Sequence, residues 1–167
     1  YSMYSDANAP YLEFLIRAVP NGFVSKELQS LSVGDQVEIF GPYGQFTLDD
    51  VSERQPYVFV GTGTGVAPFR SFYQTYPTLN CTIIHGVRHE TETYDSGDYA
   101  DGVYVPCISQ PSNGIGRRVT DYLFRDDTLS SDTIFYVCGN QKMIVDVFEL
   151  LRSRGFGGSS LRTEVFF

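Results

Sequence analysis

From Tyr57 onward the chain alternates short apolar runs with longer segments of mixed pattern. "YVFVG" precedes a glycine-rich turn and "APFRSFYQTY". "CTIIHGV" precedes the polar, weakly helical "HETETYDSGDYA", and "VYVPCIS" a loop followed by "RRVTDYLFRD". "TIFYVCG" precedes "NQKMIVDVFELLRSRG", and "LRTEVFF" closes the chain. Runs of five to seven residues, rich in Val, Ile and aromatic side chains, predict strands; the segments between them predict helices. A strand–helix repeat with a final strand predicts an α/β fold, a five-stranded parallel doubly wound sheet with right-handed crossovers. The most regular helix is the last, where Met143, Ile144, Val147, Leu150 and Leu151 recur at three and four spacing. Gly155, after Arg152 and Arg154, is its stop.

Residues 1 to about 48 have a different rhythm. "YLEFLIRAV" has strand density, "NGFVS" reads as a turn on Asn21-Gly22, and "GDQVEIFGPYGQFTL" alternates until Gly41-Pro42 breaks it. This part predicts a piece of an antiparallel barrel or sheet. The polar "DDVSERQP" separates the two regimes, so two domains are expected, 1–50 and 56–167.

Composition narrows the functional classes. With 42% hydrophobic and 15% aromatic residues, the 167-residue chain can bury a substantial core. A formal charge of −8 argues against nucleic acid, whose binding needs a basic surface. Cys81, Cys107 and Cys138 are far apart in apolar surroundings, which predicts reduced thiols and no metal site. No run of eighteen apolar residues is present, so no membrane association and a cytoplasmic location are expected.

Candidate chemistry starts at "VGTGTGVAPFRS". Gly61, Gly63 and Gly65 follow an apolar strand and precede a helix, so backbone amides can approach an anion at the positive helix end. Counted from Gly63, the motif is G-x-G-x-x-P ending at Pro68, a variant of the dinucleotide fingerprint. A glycine-rich turn without ligand is the competing reading.

In order and spacing, "GTGTGVAPFRS", "HGVR", "YVCGN" and the terminal "EVFF" resemble the pyridine-nucleotide half of the ferredoxin-NADP(H) reductase family. "YSMYS", "GFVSKEL" and "GDQVEIFGPYGQF" resemble the R-x-Y-S-x-x-S, G-x-x-S-x-x-L and G-D-x-V-x-I-x-G-P-x-G-x-F motifs of that family's flavin barrel. The resemblance covers essentially the whole chain. It implies a flavoprotein that moves hydride between NAD(P)H and FAD, then single electrons between FAD and a small carrier such as ferredoxin or flavodoxin.

Residue by residue, the resemblance implies FAD contacts from Tyr1, Ser2, Ser5, the turn Gly22, Phe23, Val24 and Ser25, and Phe166, with Phe167 as the other candidate for the terminal ring. It implies nucleotide contacts from Gly61, Thr62, Gly63, Thr64, Gly65 and Pro68, and from Arg88. Ser109, Arg117 and Arg118 would lie near a 2′-phosphate, and Cys138, Gly139 and Asn140 near the nicotinamide. Ser2, Cys138 and Glu164 would flank the reacting rings. Gln110 stands where NADP-specific relatives carry arginine, so NAD remains a possible cofactor beside NADP. His85 reads as a core residue and His89 as solvated.

Three alternatives remain open: the reductase component of an NADH-dependent oxygenase system, a nucleotide-binding module without catalysis, and a dehydrogenase. The last is disfavoured by the lack of a substrate domain and a general base. Arg70, Arg88, Arg152, Arg154 and Arg162 are candidates for a basic docking patch. "YSMYS" reads as the end of a motif whose arginine would precede Tyr1. Residues 1–48 can supply about half of a six-stranded barrel, which predicts poor flavin retention by this chain alone.

Overall fold

The computed structural model describes residues 1–48 and 51–166; Phe167, and Asp49 and Asp50 at the end of the expected first domain, lie outside the described residues. The five expected strands form one parallel sheet: β1 (Tyr57–Thr62), β2 (Cys81–Val87), β3 (Tyr104–Ile108), β4 (Ile134–Asn140) and β5 (Leu161–Phe166). Their order, β3-β2-β1-β4-β5, reverses between β1 and β4, which is the doubly wound arrangement.

Every position of β1 from Tyr57 to Gly61 is buried, because the central strand is covered on both faces. Val58, Val60, Ile84, Phe135 and Val137 pack on one face against α3 (Val119–Arg125) and α4 (Gln141–Ser153) through Leu123, Val147 and Leu151. Tyr57, Phe59, Ile83 and Tyr136 meet α2 (Ala67–Thr75) on the other face through Phe69. Phe59 and Phe69 stack at 5.1 Å. Pro68 sits in the first turn of α2, where its missing N–H costs nothing.

The N-terminal region joins this second face: Leu15, Phe46 and Leu48 pack against its core, with the Phe46 ring 5.5 Å from Tyr136. Among the described residues 1–48, the runs expected as strands form no ladder. The regular element there is α1 (Val24–Ser30), where the sequence suggested only a turn. The reason is physical: alternation makes a segment able to pair, but a strand exists only where a neighbour takes its hydrogen bonds. Val37, Ile39 and Phe40 are 52%, 55% and 77% exposed, so the apolar face that alternation predicted is uncovered. The expected weak helix at 89–100 is two short 3₁₀ turns.

Candidate active site

The site is built on one rung of the sheet. Pro106, His85, Gly61, Cys138 and Glu164 are paired neighbours across β3, β2, β1, β4 and β5 in turn. Directly paired residues project to one face. The rung therefore places the Cys138 thiol beside the Glu164 carboxylate, with Sγ 3.8 Å from Oε2. Ser2 arrives from the other end of the chain and donates its hydroxyl to the same Oε2 at 3.0 Å. The three residues expected to flank the reacting rings thus meet at one carboxylate oxygen. Burial, then the Glu164 charge and hydrogen bond, push the Cys138 thiol far above its usual range, so it is a neutral donor.

At the centre of the rung, Gly61 leaves room for the loop that follows β1. A Cβ on Gly61 would lie 3.0 Å from the Gly65 carbonyl oxygen, and one on Gly65 would lie 2.4 Å from the Cys138 carbonyl oxygen. Gly139 has φ +130° and its Cβ would meet Thr62 Oγ1 at 2.4 Å. The Thr62 hydroxyl accepts the Asn140 N–H at 3.2 Å. Gly63, at φ +54°, turns the loop outward, and a Cβ there would meet open space. The loop's inner side is packed on backbone and its outer side is bare, with Thr64 between. That arrangement fits a dinucleotide pyrophosphate lying close to main-chain amides.

His85 has a part that sequence reasoning missed. Its ring is fully buried, with Nε2 2.8 Å from the Gly63 carbonyl oxygen and Nδ1 2.7 Å from the Tyr104 hydroxyl. Desolvation lowers its pKa to about 4, so the ring is neutral near pH 7. Nε2–H then donates to Gly63 and Nδ1 accepts from Tyr104, tying β2 to the glycine loop. No sequence signal marks this, because the partner is a backbone carbonyl.

Beyond β2 and β3, Arg88, His89, Arg117 and Arg118 are exposed. Ser109 donates to the Val87 carbonyl at 3.2 Å, and the loop returns so closely that a Cβ on Gly116 would lie 2.1 Å from the Ser109 carbonyl oxygen. The Arg117 N–H bonds Ile108, and its guanidinium lies 5.3 Å from the Tyr122 ring. His89 Nδ1 is 3.2 Å from the Gln110 carbonyl oxygen. Ser109 and Arg117 thus share the end of β3.

Other expected contacts are placed differently. The Asn140 side chain caps α4, accepting from Lys142 and Met143 N–H groups. The Ser5 hydroxyl is buried and closes a turn, donating to the Tyr11 carbonyl and accepting from the Glu13 N–H. The Ser25 hydroxyl accepts the Val19 N–H, and the Gly22 N–H bonds the Val19 carbonyl, so that turn leads into α1 and not into a hairpin. Phe23 and Val24 are exposed beside it. Tyr1, 69% exposed, presents its ring one residue from the Ser2–Glu164 pair, and Phe166, half-buried, is two residues beyond Glu164. A bare aromatic ring, a preformed turn and a hydroxyl–carboxylate pair fit a flavin. A cleft of about 270 Å³ opens at Glu164, lined by Phe46, Tyr136, Arg162 and Thr163.

Two of the five arginines suggested for a basic patch are bound elsewhere. Arg70 is buried among acidic groups, and Arg154 donates to the Leu123 and Asp126 carbonyls.

Known proteins resemble both halves of the chain. Residues 1–48 match the oxidoreductase FAD-binding domain and residues 59–149 the oxidoreductase NAD-binding domain. The chain is 27% identical to the toluate 1,2-dioxygenase electron transfer component of Pseudomonas putida, over 99% of this chain and 53% of that protein. It is 31% identical to the ferredoxin--NAD(P)(+) reductase component of the naphthalene 1,2-dioxygenase/salicylate 5-hydroxylase systems of Ralstonia sp, over 100% of this chain and 55% of that one. Among solved structures, the Amycolatopsis cytochrome P450 reductase superposes with a TM-score of 0.86 at 27% identity, over 99% of this chain and 55% of that one. The chain spans about half the length of these relatives.

Proposed function

From the premise that the chain belongs to the ferredoxin-NADP(H) reductase family, with an FAD-binding and an NAD-binding domain, we propose that it is the catalytic part of an FAD-dependent NAD(P)H oxidoreductase. It feeds a small electron carrier or oxygenase component. The observation that carries this reading is the rung: Gly61 under the glycine loop, Cys138 next, then Glu164 joined to Ser2.

Flavin, when bound, accepts hydride from the nicotinamide and releases electrons singly to the acceptor. The chain's own residues position and shield. Gly61, Gly63 and Gly65 offer amides to the pyrophosphate, and Ser109, Arg117 and Arg118 face the adenosine ribose, with Arg88 beside them. Gly139 and Asn140 would border the nicotinamide, while Tyr1, the Gly22–Ser25 turn and Phe166 would hold the flavin. Glu164 fixes the Ser2 hydroxyl, and the buried, neutral Cys138 thiol keeps water from that side of the carboxylate. The Ser5 and Asn140 side chains act through the backbone they brace.

The relatives favour an oxygenase-linked acceptor over a stand-alone ferredoxin reductase, because those compared above are electron transfer or reductase components. A cytoplasmic setting accords with this; no helix among the described residues is long and apolar enough to cross a membrane.

Anaerobic mixing of the FAD-loaded protein with NADPH or NADH tests the reading. We expect the flavin absorbance to bleach, and Glu164→Gln to slow bleaching by roughly 10²-fold. Nucleotide binding without bleaching would instead support the non-catalytic module. A turnover-efficiency ratio strongly favouring NADH and unmoved by Arg117→Ala would assign NAD.

A further inference from the structure

Arg70 is the least expected residue of the nucleotide domain. It lies on the first turn of α2, five positions after Gly65, and its side chain is about nine-tenths buried against the N-terminal segment and the turn after β2. Nη1 donates to the Tyr4 carbonyl at 3.0 Å and to Glu13 at 3.3 Å. Nε and Nη2 donate to Asp98 at 3.2 and 2.7 Å, and Asp95 stands 3.9 Å away. The guanidinium carbon sits 4.2 Å over the Tyr4 ring, whose hydroxyl donates to Asp95 at 2.7 Å.

These contacts come from three parts of the chain: Tyr4 and Glu13 from the N-terminal segment, Asp95 and Asp98 from the turn after β2, and Arg70 from α2. The N-terminal segment is itself a closed unit, since the Tyr4 N–H bonds the Glu13 carbonyl at 2.8 Å and Ser5 braces the same turn. A second tie runs from the Ala7 N–H to Thr75 Oγ1 at the far end of α2. Asp95, at φ +46°, holds a left-handed backbone, a conformation that persists in a non-glycine residue only where surroundings over-determine it. One planar cation with donors on several edges suits this junction in a way that a point charge does not.

We propose that Arg70 is a positioning residue for the flavin-facing edge: it clamps the Tyr4–Glu13 unit to the nucleotide domain and so sets where Tyr1 and Ser2 lie relative to Glu164. This rests on the reductase reading above. Ser2 is two residues from Tyr4, and Glu164 belongs to β5 on the other side of the sheet's centre, so the ties that hold the Tyr4–Glu13 unit to α2 and to the turn after β2 govern how Ser2 approaches Glu164. Three carboxylates converge on one cation. Without the guanidinium they would repel and drive the segment off α2.

The test compares the wild-type protein with Arg70→Lys, which keeps the charge and loses the fork, and with the milder Glu13→Gln. Amide hydrogen exchange of residues 1–13 is read without added flavin or nucleotide. Hydride-transfer rate and nucleotide Kd are read separately on the FAD-loaded protein. We expect Arg70→Lys to raise exchange of residues 1–13 about tenfold, with β1 and β4 unchanged. Hydride transfer should fall about tenfold while the nucleotide Kd stays within about twofold, and Glu13→Gln should shift the same two readouts by a smaller factor. Unchanged exchange in both variants overturns the clamp. Raised exchange with unchanged hydride transfer overturns its part in positioning. A wild-type protein that binds nucleotide without bleaching overturns the reductase reading instead, and the exchange data still decide the clamp.

Discussion

At the scale of single residues, the buried histidine carries the clearest measurable signature. The His85 pKa is depressed to about 4 in the folded chain against 6.5 for the free side chain. Above about pH 6.5 neither folded nor unfolded state holds the proton. As pH falls toward 4 the unfolded state takes it up first, so stability falls with pH through that window, by up to about 3 kcal/mol. Urea unfolding between pH 7 and 4 should show this slope. His85→Gln, which keeps a donor and an acceptor but cannot titrate, should lose that part of it. Neither role of His85 was legible in "HGVR", because hydrogen bonds to a carbonyl and to a tyrosine 19 residues away leave no local pattern. Ser2, Cys138 and Glu164 were legible by resemblance alone. Their meeting at one oxygen follows from strand register, which periodicity does not specify across 162 residues.

Among elements, the five strands expected from Tyr57 onward were read correctly, and they pair in a single parallel sheet. β1, β2 and β4 have a strand on each side and are largely buried, which is why they show as apolar runs, while the edge strands β3 and β5 are only partly buried. The runs in residues 1–48 have the same alternation and match the FAD-binding domain, yet form no ladder among the described residues, so alternation does not by itself report pairing. The glycine loop gives an element-scale prediction. A Cβ on Gly65 would press into the backbone of β4, which cannot yield as a side chain can. Gly65→Ala should therefore cost about 2 kcal/mol or more and raise KM for the nucleotide. Gly114→Ala, whose Cβ meets nothing within 4 Å, should change stability by less than about 0.5 kcal/mol. Thermal unfolding and steady-state kinetics on both variants check the contrast.

For the whole molecule, the two halves differ in how completely they are covered. The nucleotide domain buries both faces of its sheet, whereas Val33, Phe40 and Tyr43 are 110%, 77% and 85% exposed. Produced as these 167 residues alone, the chain should associate in a concentration-dependent way, and Phe40→Ser with Val37→Lys should shift it toward monomer in sedimentation velocity. The rung has a consequence of another kind. Its five positions are mounted at the fixed pitch of a parallel sheet, about 4.8 Å, so Gly61 and Glu164 stand roughly 10 Å apart whatever side chains they bear. Chemistry on such a rack is modular. A peg can change its side chain while the spacing stays, except at Gly61, where even a methyl group would crowd the loop above it, so such a site can be retuned at its outer positions without moving its centre.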